Sequence, residues 1–85
     1  MASYKILIKP SAVKEIEALP RKDRQRIVAR IQGLSGDPRP LGCQKLSGQD
    51  KFRLRQGVYR IVYSVNDDDA CLLVVKVGQR KEVYR

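Results

Sequence analysis

Residues 51–63 read Lys-Phe-Arg-Leu-Arg-Gln-Gly-Val-Tyr-Arg-Ile-Val-Tyr. Cations alternate with apolar residues as far as a glycine, and a second β-rich run follows. Because successive side chains of a strand point to opposite faces, Phe52 and Leu54 can pack while the cations between them point outward together. These outward cations are Lys51, Arg53 and Arg55. The pattern predicts a β-hairpin with one apolar face and one basic face.

A tight turn at Gln56-Gly57 would set the pairing of this hairpin. It would place Leu54 opposite Tyr59, Phe52 opposite Ile61, and Arg53 opposite Arg60. The first two pairs build a core, whereas the third sets two guanidinium groups side by side, where like charges repel. A sheet built only for stability avoids such a pair. A surface that holds a polyanion favours it.

Length and composition indicate one small domain, residues 1–85, with a single core. At 42% hydrophobic and 32% charged residues, the chain has the composition of a globular protein. No apolar run approaches the roughly 20 residues of a transmembrane helix, and the N-terminus lacks a secretory signal. We therefore expect a cytoplasmic protein.

The charge balance is strongly basic, with 18 Lys and Arg against 9 Asp and Glu and a net charge of +9. Such a charge attracts nucleic acid or an acidic protein. The alternative is a generic basic surface that keeps a small protein soluble. Concentration of the cations on the hairpin and near the C-terminus favours a binding role.

The chain contains no histidine and only two cysteines. The absence of histidine excludes Ser-His-Asp and Cys-His catalysis and the two-histidine chemistry common among ribonucleases. Cys71 lies in an apolar run, where we expect a core residue, and Cys43 is expected to have no role. We expect neither a metal site nor a cofactor.

The remaining elements follow from periodicity and from proline and glycine. Tyr4–Lys9 is predicted as a strand. Two amphipathic helices follow, the first capped by Ser11 and stopped by Pro20, the second over about Lys22–Leu34. Inward positions on the helices are predicted to be Ala12, Val13, Ile16, Leu19, Ile27, Val28, Ile31 and Leu34.

The second half of the chain is predicted to be β structure after a loop over Gly33–Gly42. Its strands are expected at Gln44–Leu46, Lys51–Arg55, Val58–Val65 and Cys71–Val77, with an acidic turn at Asn66–Asp69. If Val65 pairs with Cys71, Lys76 would lie beside Arg60. The predicted fold is α+β: a two-helix hairpin on a mostly antiparallel sheet of four to five strands, in β-α-α-β-β-β order.

RNA lying across the hairpin would meet several groups suited to its chemistry. Arg53, Arg60 and Arg80 can hold phosphate oxygens through planar guanidinium groups. Lys51 is the candidate general base, because neighbouring cations and partial burial disfavour an ammonium form; the alternative is a lysine that only steers phosphate. Tyr84 can stack on a base, or simply pack against the sheet edge.

Cleavage of RNA by its own 2′-hydroxyl suits a site with many cations, a base and no metal. The protein need only take the proton, hold the in-line geometry and neutralise the charge that develops on phosphorus. The products would be a 2′,3′-cyclic phosphate, or the 3′-phosphate from its hydrolysis, and a 5′-hydroxyl.

The chain resembles the RelE/ParE toxin superfamily over nearly its whole length. The resemblance rests on the element order, on Lys45-Leu46-Ser47-Gly48, on Val58-Tyr59-Arg60-Ile61-Val62-Tyr63 and on Val77-Gly78-Gln79-Arg80. It is similar to the RelE branch, which implies a toxin of a type II toxin–antitoxin system that cleaves mRNA in the ribosomal A site.

By motif position, the resemblance assigns roles to five residues. It implies Lys51 and Arg53 as the paired basic residues, Arg60 as the transition-state arginine, Arg80 as general acid or leaving-group stabiliser, and Tyr84 as the residue that stacks on or orients the substrate. Further cations expected to contact RNA or the ribosome are Lys45, Arg55 and Lys81.

The chain departs from the family pattern at three places. Arg53 stands where the better-known pattern has lysine, so a second lysine base is absent. The spacing from Arg80 to Tyr84 is shorter than in some relatives. Gln79 replaces a histidine that many relatives carry, which argues against the branch that uses a Glu/His pair.

The resemblance also implies partners: a cognate antitoxin that covers the basic face, the ribosome and mRNA, and DNA only indirectly through the antitoxin. Two other functions remain open. One is a ParE-like toxin that inhibits DNA gyrase without cleaving RNA. The other is a non-catalytic RNA- or ribosome-binding module, which predicts salt-dependent association without cut ends.

Overall fold

The fold is a five-stranded sheet with two helices packed on one face, seen in a computed structural model that describes residues 3–46 and 50–79. Its elements are β1 (Lys5–Ile8), α1 (Pro10–Glu17), α2 (Arg21–Gly33), β2 (Gln44–Lys45), β3 (Lys51–Gln56), β4 (Tyr59–Asn66) and β5 (Cys71–Gln79). The strand order is β1-β5-β4-β3-β2, antiparallel throughout except for the parallel β1–β5 pair. The predicted α+β class is confirmed, with the two-residue β2 as the fifth strand.

A proline lies at or next to the first residue of each helix. Helix α1 starts at Pro10, one residue before the predicted cap Ser11, because proline lacks the N–H that the first helical position leaves unbonded. Pro20 precedes α2 as its N-cap residue. Val13 and Val28, both predicted to point inward, are 38% exposed, since each lies at the margin of the stripe that packs on the sheet.

The core lies between the helices and one face of the sheet, which we call the covered face. Its residues are Ala12, Ile16, Ile27, Ile31, Leu34, Leu54, Tyr59, Ile61, Tyr63, Leu72, Val74 and Val77. Tyr63 is fully buried, stacks on Phe52 with ring centroids 5.8 Å apart, and donates its hydroxyl to the Pro38 carbonyl at 2.7 Å. That bond fastens the loop between α2 and β2 to the core.

A bulge in β5 changes the predicted pairing with β4. Val62 lies opposite Lys76 but Tyr63 lies opposite Val74, so Val75 is the extra residue. Cys71 also pairs with Asn66 rather than Val65, so the expectation that Lys76 lies beside Arg60 is wrong, and Gly78 takes that place. The Lys76 ammonium instead contacts Glu15 of α1 at 3.1 Å, and the same carboxylate accepts the Val77 N–H at 3.0 Å. Glu15 thus covers the part of β5 that extends beyond β1.

Both cysteines are free thiols of intermediate burial. Cys43 is partly buried and packs against the core. Cys71 opens β5 at the edge of the core rather than inside it. No helix in the described part of the chain is long and apolar enough to cross a membrane.

Candidate functional site

The outward cations of the hairpin share one surface, on the side of the sheet away from the helices. Side chains of directly opposed residues point to the same face of an antiparallel pair. Leu54 opposite Ile61 and Phe52 opposite Tyr63 belong to the covered face. The alternate pairs are Lys51–Ser64, Arg53–Val62 and Arg55–Arg60. We call the surface formed by Lys51, Arg53, Arg55 and Arg60 the cationic face.

The hairpin turn differs from the prediction by one residue. The loop is Gly57-Val58 rather than Gln56-Gly57, so Gln56 pairs with Tyr59. Gly57 has φ +60°, which glycine adopts easily and which a type II′ turn requires at its first loop position. The predicted pairing of Arg53 with Arg60 is therefore wrong, and Arg55 takes that place. Because the register moved by two positions along the partner strand, every side chain kept its predicted face.

Arg60 is the most enclosed cation of this surface. Its side chain is 4% exposed and is the one buried charged residue among those the structure describes. The Arg60 Nη1 lies 3.5 Å from the Tyr59 carbonyl. On the neighbouring strand β5, Arg60 lies opposite Gly78, which has no side chain to displace the guanidinium. Burying a guanidinium costs free energy. The position therefore suits a cation that acts on a ligand brought to it.

Arg53 is oriented by a neighbour that the sequence did not single out. Gln44 of β2 lies opposite Arg53, and its side-chain oxygen accepts a hydrogen bond from the Arg53 guanidinium. An amide oriented in this way fixes the planar fork without neutralising its charge. The sequence predicted a strand that contains Gln44. It did not predict that this residue pairs with Arg53, because the two lie on strands that a loop separates in the chain.

Lys45 lies on the other side of the sheet from Arg53. It pairs with Phe52, a residue of the covered face, and lines a surface depression with Arg39. It is exposed, but it does not join the cationic face. Arg80, Lys81 and Tyr84 lie outside the described residues.

Asp23 and Asp67 make their contacts away from the cationic face. Asp23 of α2 accepts the Tyr59 hydroxyl at 2.8 Å, and Asp67 accepts both Tyr4, at 2.6 Å, and Arg39, at 2.7 Å. The Arg39 guanidinium also lies over the Phe52 ring, 5.2 Å from its centroid. These two carboxylates therefore bind groups other than the cations of that face.

The described tyrosines keep their protons at neutral pH. The hydrogen bond to Asp23 raises the pKa of Tyr59, and burial raises the pKa of Tyr63. The hydrogen bond to Asp67 raises the pKa of Tyr4. The general base on the cationic face stays the prediction made from the sequence, Lys51. The described residues contain no group of three or more His, Cys, Asp or Glu that could hold a metal ion.

Comparison with known proteins places this arrangement among toxins. Residues 6–84 match the model of the family described as "ParE toxin of type II toxin-antitoxin system, parDE". The sequence is 33% identical over 78 residues to the mRNA interferase toxin RelE of Escherichia coli strain K12, covering 86% of this chain and 81% of that protein.

Solved structures show the same architecture. The isolated RelE toxin of E. coli superposes with a TM-score of 0.80 at 29% identity, covering 96% of this chain and 92% of that one. RelE in the archaeal RelE–RelB complex from Pyrococcus horikoshii gives 0.80 at 28% identity, covering 92% and 96%.

Proposed function

The chain belongs to the ParE toxin family of type II toxin–antitoxin systems and is of the RelE type, and from this premise we propose that it cleaves mRNA in the ribosomal A site. The observation that carries the proposal is the cationic face, where Lys51, Arg53, Arg55 and Arg60 meet on two adjacent strands. The relative in E. coli is named an mRNA interferase, which supports the same reaction here.

The reaction uses the 2′-hydroxyl of the RNA as nucleophile. Lys51 takes the hydroxyl proton as general base, and the oxygen attacks the adjacent phosphorus in line with the leaving 5′-oxygen. Arg53, fixed by Gln44, holds a non-bridging phosphate oxygen. Arg60 stabilises the additional negative charge of the transition state, for which a buried guanidinium is effective because little water screens it.

The leaving 5′-oxygen needs a proton or a close cation, a role that we assign to Arg80 on its motif position. Tyr84 is proposed to stack on a base next to the cut. The P–O5′ bond breaks as the O2′–P bond forms, giving a 2′,3′-cyclic phosphate and a 5′-hydroxyl. No oxidant, reductant or second substrate is required.

In the described part of the chain, the cationic face is a sheet surface on which Arg60 is buried and Arg55 is exposed. Such a surface restricts the conformations of a flexible RNA only weakly, and in-line attack depends on restriction. We therefore propose that the ribosome holds the mRNA in position and that naked RNA is cut poorly. Arg55, together with Lys45 and Lys81, would contribute to RNA or ribosome contacts.

The partner that restrains the toxin is proposed to be a cognate antitoxin. Relatives have been solved in complex with RelB, including the archaeal pair from P. horikoshii. The net charge of +9 favours an acidic partner segment, and DNA would be reached only through that antitoxin.

Mapping of 5′-hydroxyl ends on mRNA in a translating extract tests the proposal. The native chain should produce cuts within codons. Arg60→Ala should lower the cleavage rate by about 10²–10³-fold, the loss typical of a deleted transition-state donor. Arg21→Ala, which removes an exposed arginine of α2, is the matched control and should cut normally.

Two outcomes would contradict the proposal. Intact mRNA together with inhibited DNA supercoiling would favour a gyrase-directed activity of the ParE type, the type that the matching family model is named for. Ribosome binding without cut ends would favour a non-catalytic module.

A further inference from the structure

A cleft lies along the outer edge of β3, beside the cationic face. It has a volume of about 460 Å³, within the usual range for small-ligand sites. Its lining residues are Arg30, Gly42, Gln44, Arg53, Leu54, Arg55 and Gly57. Strand β2 pairs only with Phe52 and Arg53, so in the described chain the edge of β3 beyond Arg53 has no partner strand and opens into this cleft.

Guanidinium groups supply most of the charge in the lining of the cleft. Three guanidinium groups border it, Arg30 from α2 and Arg53 and Arg55 from β3, and no carboxylate does. Arg30 and Arg55 line the same space, where like charges repel, and an anion bound between them would reduce that repulsion.

Arg30 supplies an independent sign of a missing acceptor. Its Nε is buried, and no hydrogen-bond partner for it exists among the described residues. An unsatisfied buried donor costs about 1–3 kcal/mol, and more when it is charged. Arg30 is adjacent to Ile31, a buried residue of α2, and its side chain lines the cleft together with Arg53 and Arg55 of β3.

The cleft is continuous with the proposed catalytic surface. Arg53 borders both, and Arg55 lies opposite Arg60. A ligand strand held by Arg53 at the cut would cross the edge of β3 and enter the cleft. Neither Gly42 nor Gly57 has an atom within 4 Å of the place where a side chain would begin, so the rim is open on both sides.

We propose that this cleft is a second phosphate subsite, in which Arg30 and Arg55 hold a backbone phosphate of the RNA next to the cleaved linkage. The inference rests on the proposed function and extends it to a neighbouring nucleotide. RNA fits better than an acidic peptide because forked guanidinium donors match phosphate oxygens bidentately and because the cleft follows directly from the site that holds the scissile phosphate.

Binding of a short single-stranded RNA made uncleavable by 2′-O-methyl groups tests the subsite apart from catalysis. Fluorescence anisotropy at several salt concentrations gives the affinity and its salt dependence. Arg30→Gln should weaken binding about tenfold, a typical value for one charge-assisted contact, and lower the slope of log K against log salt by about 0.7, the value for one phosphate contact on a single strand.

Two further variants separate a subsite from general charge. Arg21→Gln makes the same charge change in the first turn of the same helix, outside the cleft, and should change affinity by less than threefold, about 0.7 kcal/mol or less. Arg30→Lys keeps the charge but loses the fork, and should weaken binding without changing the salt slope. In the translating extract, Arg30→Gln should raise KM and leave kcat nearly unchanged.

Equal losses for Arg30→Gln and Arg21→Gln would overturn the subsite, even if Arg60→Ala still abolished cleavage. Loss of binding to an acidic peptide, with RNA binding unchanged, would overturn the assignment to RNA. Conversely, a tenfold loss of RNA binding in a protein that cuts nothing would support the subsite while the nuclease proposal failed. Thermal unfolding shows whether each variant is folded. If Arg30→Gln does not fold, Arg30→Lys provides the test of the subsite.

Discussion

The covered face and the cationic face of the β3–β4 hairpin use alternate residues of the same strands for opposite purposes. On the covered face, Leu54, Ile61 and Tyr63 are almost completely buried. On the other, Arg55 lies directly opposite Arg60. Burial of apolar area stabilises the fold, whereas facing guanidinium groups destabilise it. The comparison supports the proposal that one face maintains the sheet and the other binds an anionic ligand.

Arg60 is an exception to the division between a buried face and an exposed one. It belongs to the cationic face by register, yet it is as enclosed as a core residue. A cation held in a poorly hydrated position interacts more strongly with an incoming negative charge than an exposed one does. The covered face therefore buries apolar side chains, whereas the cationic face buries a guanidinium group. The degree of burial alone does not distinguish the two faces.

The largest stability effect is expected on the covered face. Ile61→Ala removes a fully buried side chain and should lower the free energy of unfolding by about 3–4 kcal/mol, through lost burial and the cavity left behind. Ser64→Ala, on the cationic side of the same strand, should change it by less than about 0.5 kcal/mol. Urea unfolding of both variants provides the measurement. Similar losses of stability at the two positions would contradict the conclusion that the covered face, and not the cationic face, stabilises the sheet.

A smaller effect of opposite sign is expected on the cationic face. Arg55→Gln removes the charge facing Arg60 and should leave stability unchanged or raise it by about 0.2–1 kcal/mol, while it weakens RNA binding. Unfolding and anisotropy measurements on one preparation would show both changes. A loss of stability without a loss of binding would mean that Arg55 serves the fold.

The smallest effect is expected at the turn between β4 and β5, and it depends on pH. The Arg39 guanidinium beside Asp67 holds the pKa of that carboxyl below its usual range. A lowered pKa in the folded state gives stability that is present above the unfolded value of about 4 and is lost as pH falls through the folded value. Asp67→Asn should therefore be slightly less stable than the native chain at pH 7 and equal to it in strong acid.

Thermal unfolding from pH 7 to pH 2 measures this difference. Asp68→Asn changes the neighbouring carboxylate of the same turn and should track the native chain across the range. If the gap between Asp67→Asn and the native chain widened as the pH fell, the contact with Arg39 would not be the source of the stabilisation.

Local pattern determined the two faces. Alternation along residues 51–55 placed Phe52 and Leu54 in the core and the cations outside, and Tyr59 and Tyr63 were correctly assigned to the core. Spacing along the helices placed Ile27 and Ile31 inward. These predictions succeed because the periods of helix and strand depend only on backbone geometry.

Register was not determined locally. The turn lies at Gly57-Val58, the bulge at Val75 moves the end of β5, and Lys45 lies on the covered side because β2 pairs across a loop from β3. Each depends on which backbone groups meet across a turn or between distant segments. The residue types alone permit several such alignments.

The sequence by itself determined the composition of this protein's two surfaces, because the alternation of charge and apolar side chains is fixed when a strand forms. Only the tertiary structure decided which cations meet: Arg55 with Arg60, Arg53 with Gln44, and Arg30 with the edge of β3. The physical reason is that these neighbours come from segments far apart in the chain or from a turn whose position depends on the positive φ that Gly57 adopts easily. Packing of the whole domain then selects among the available pairings.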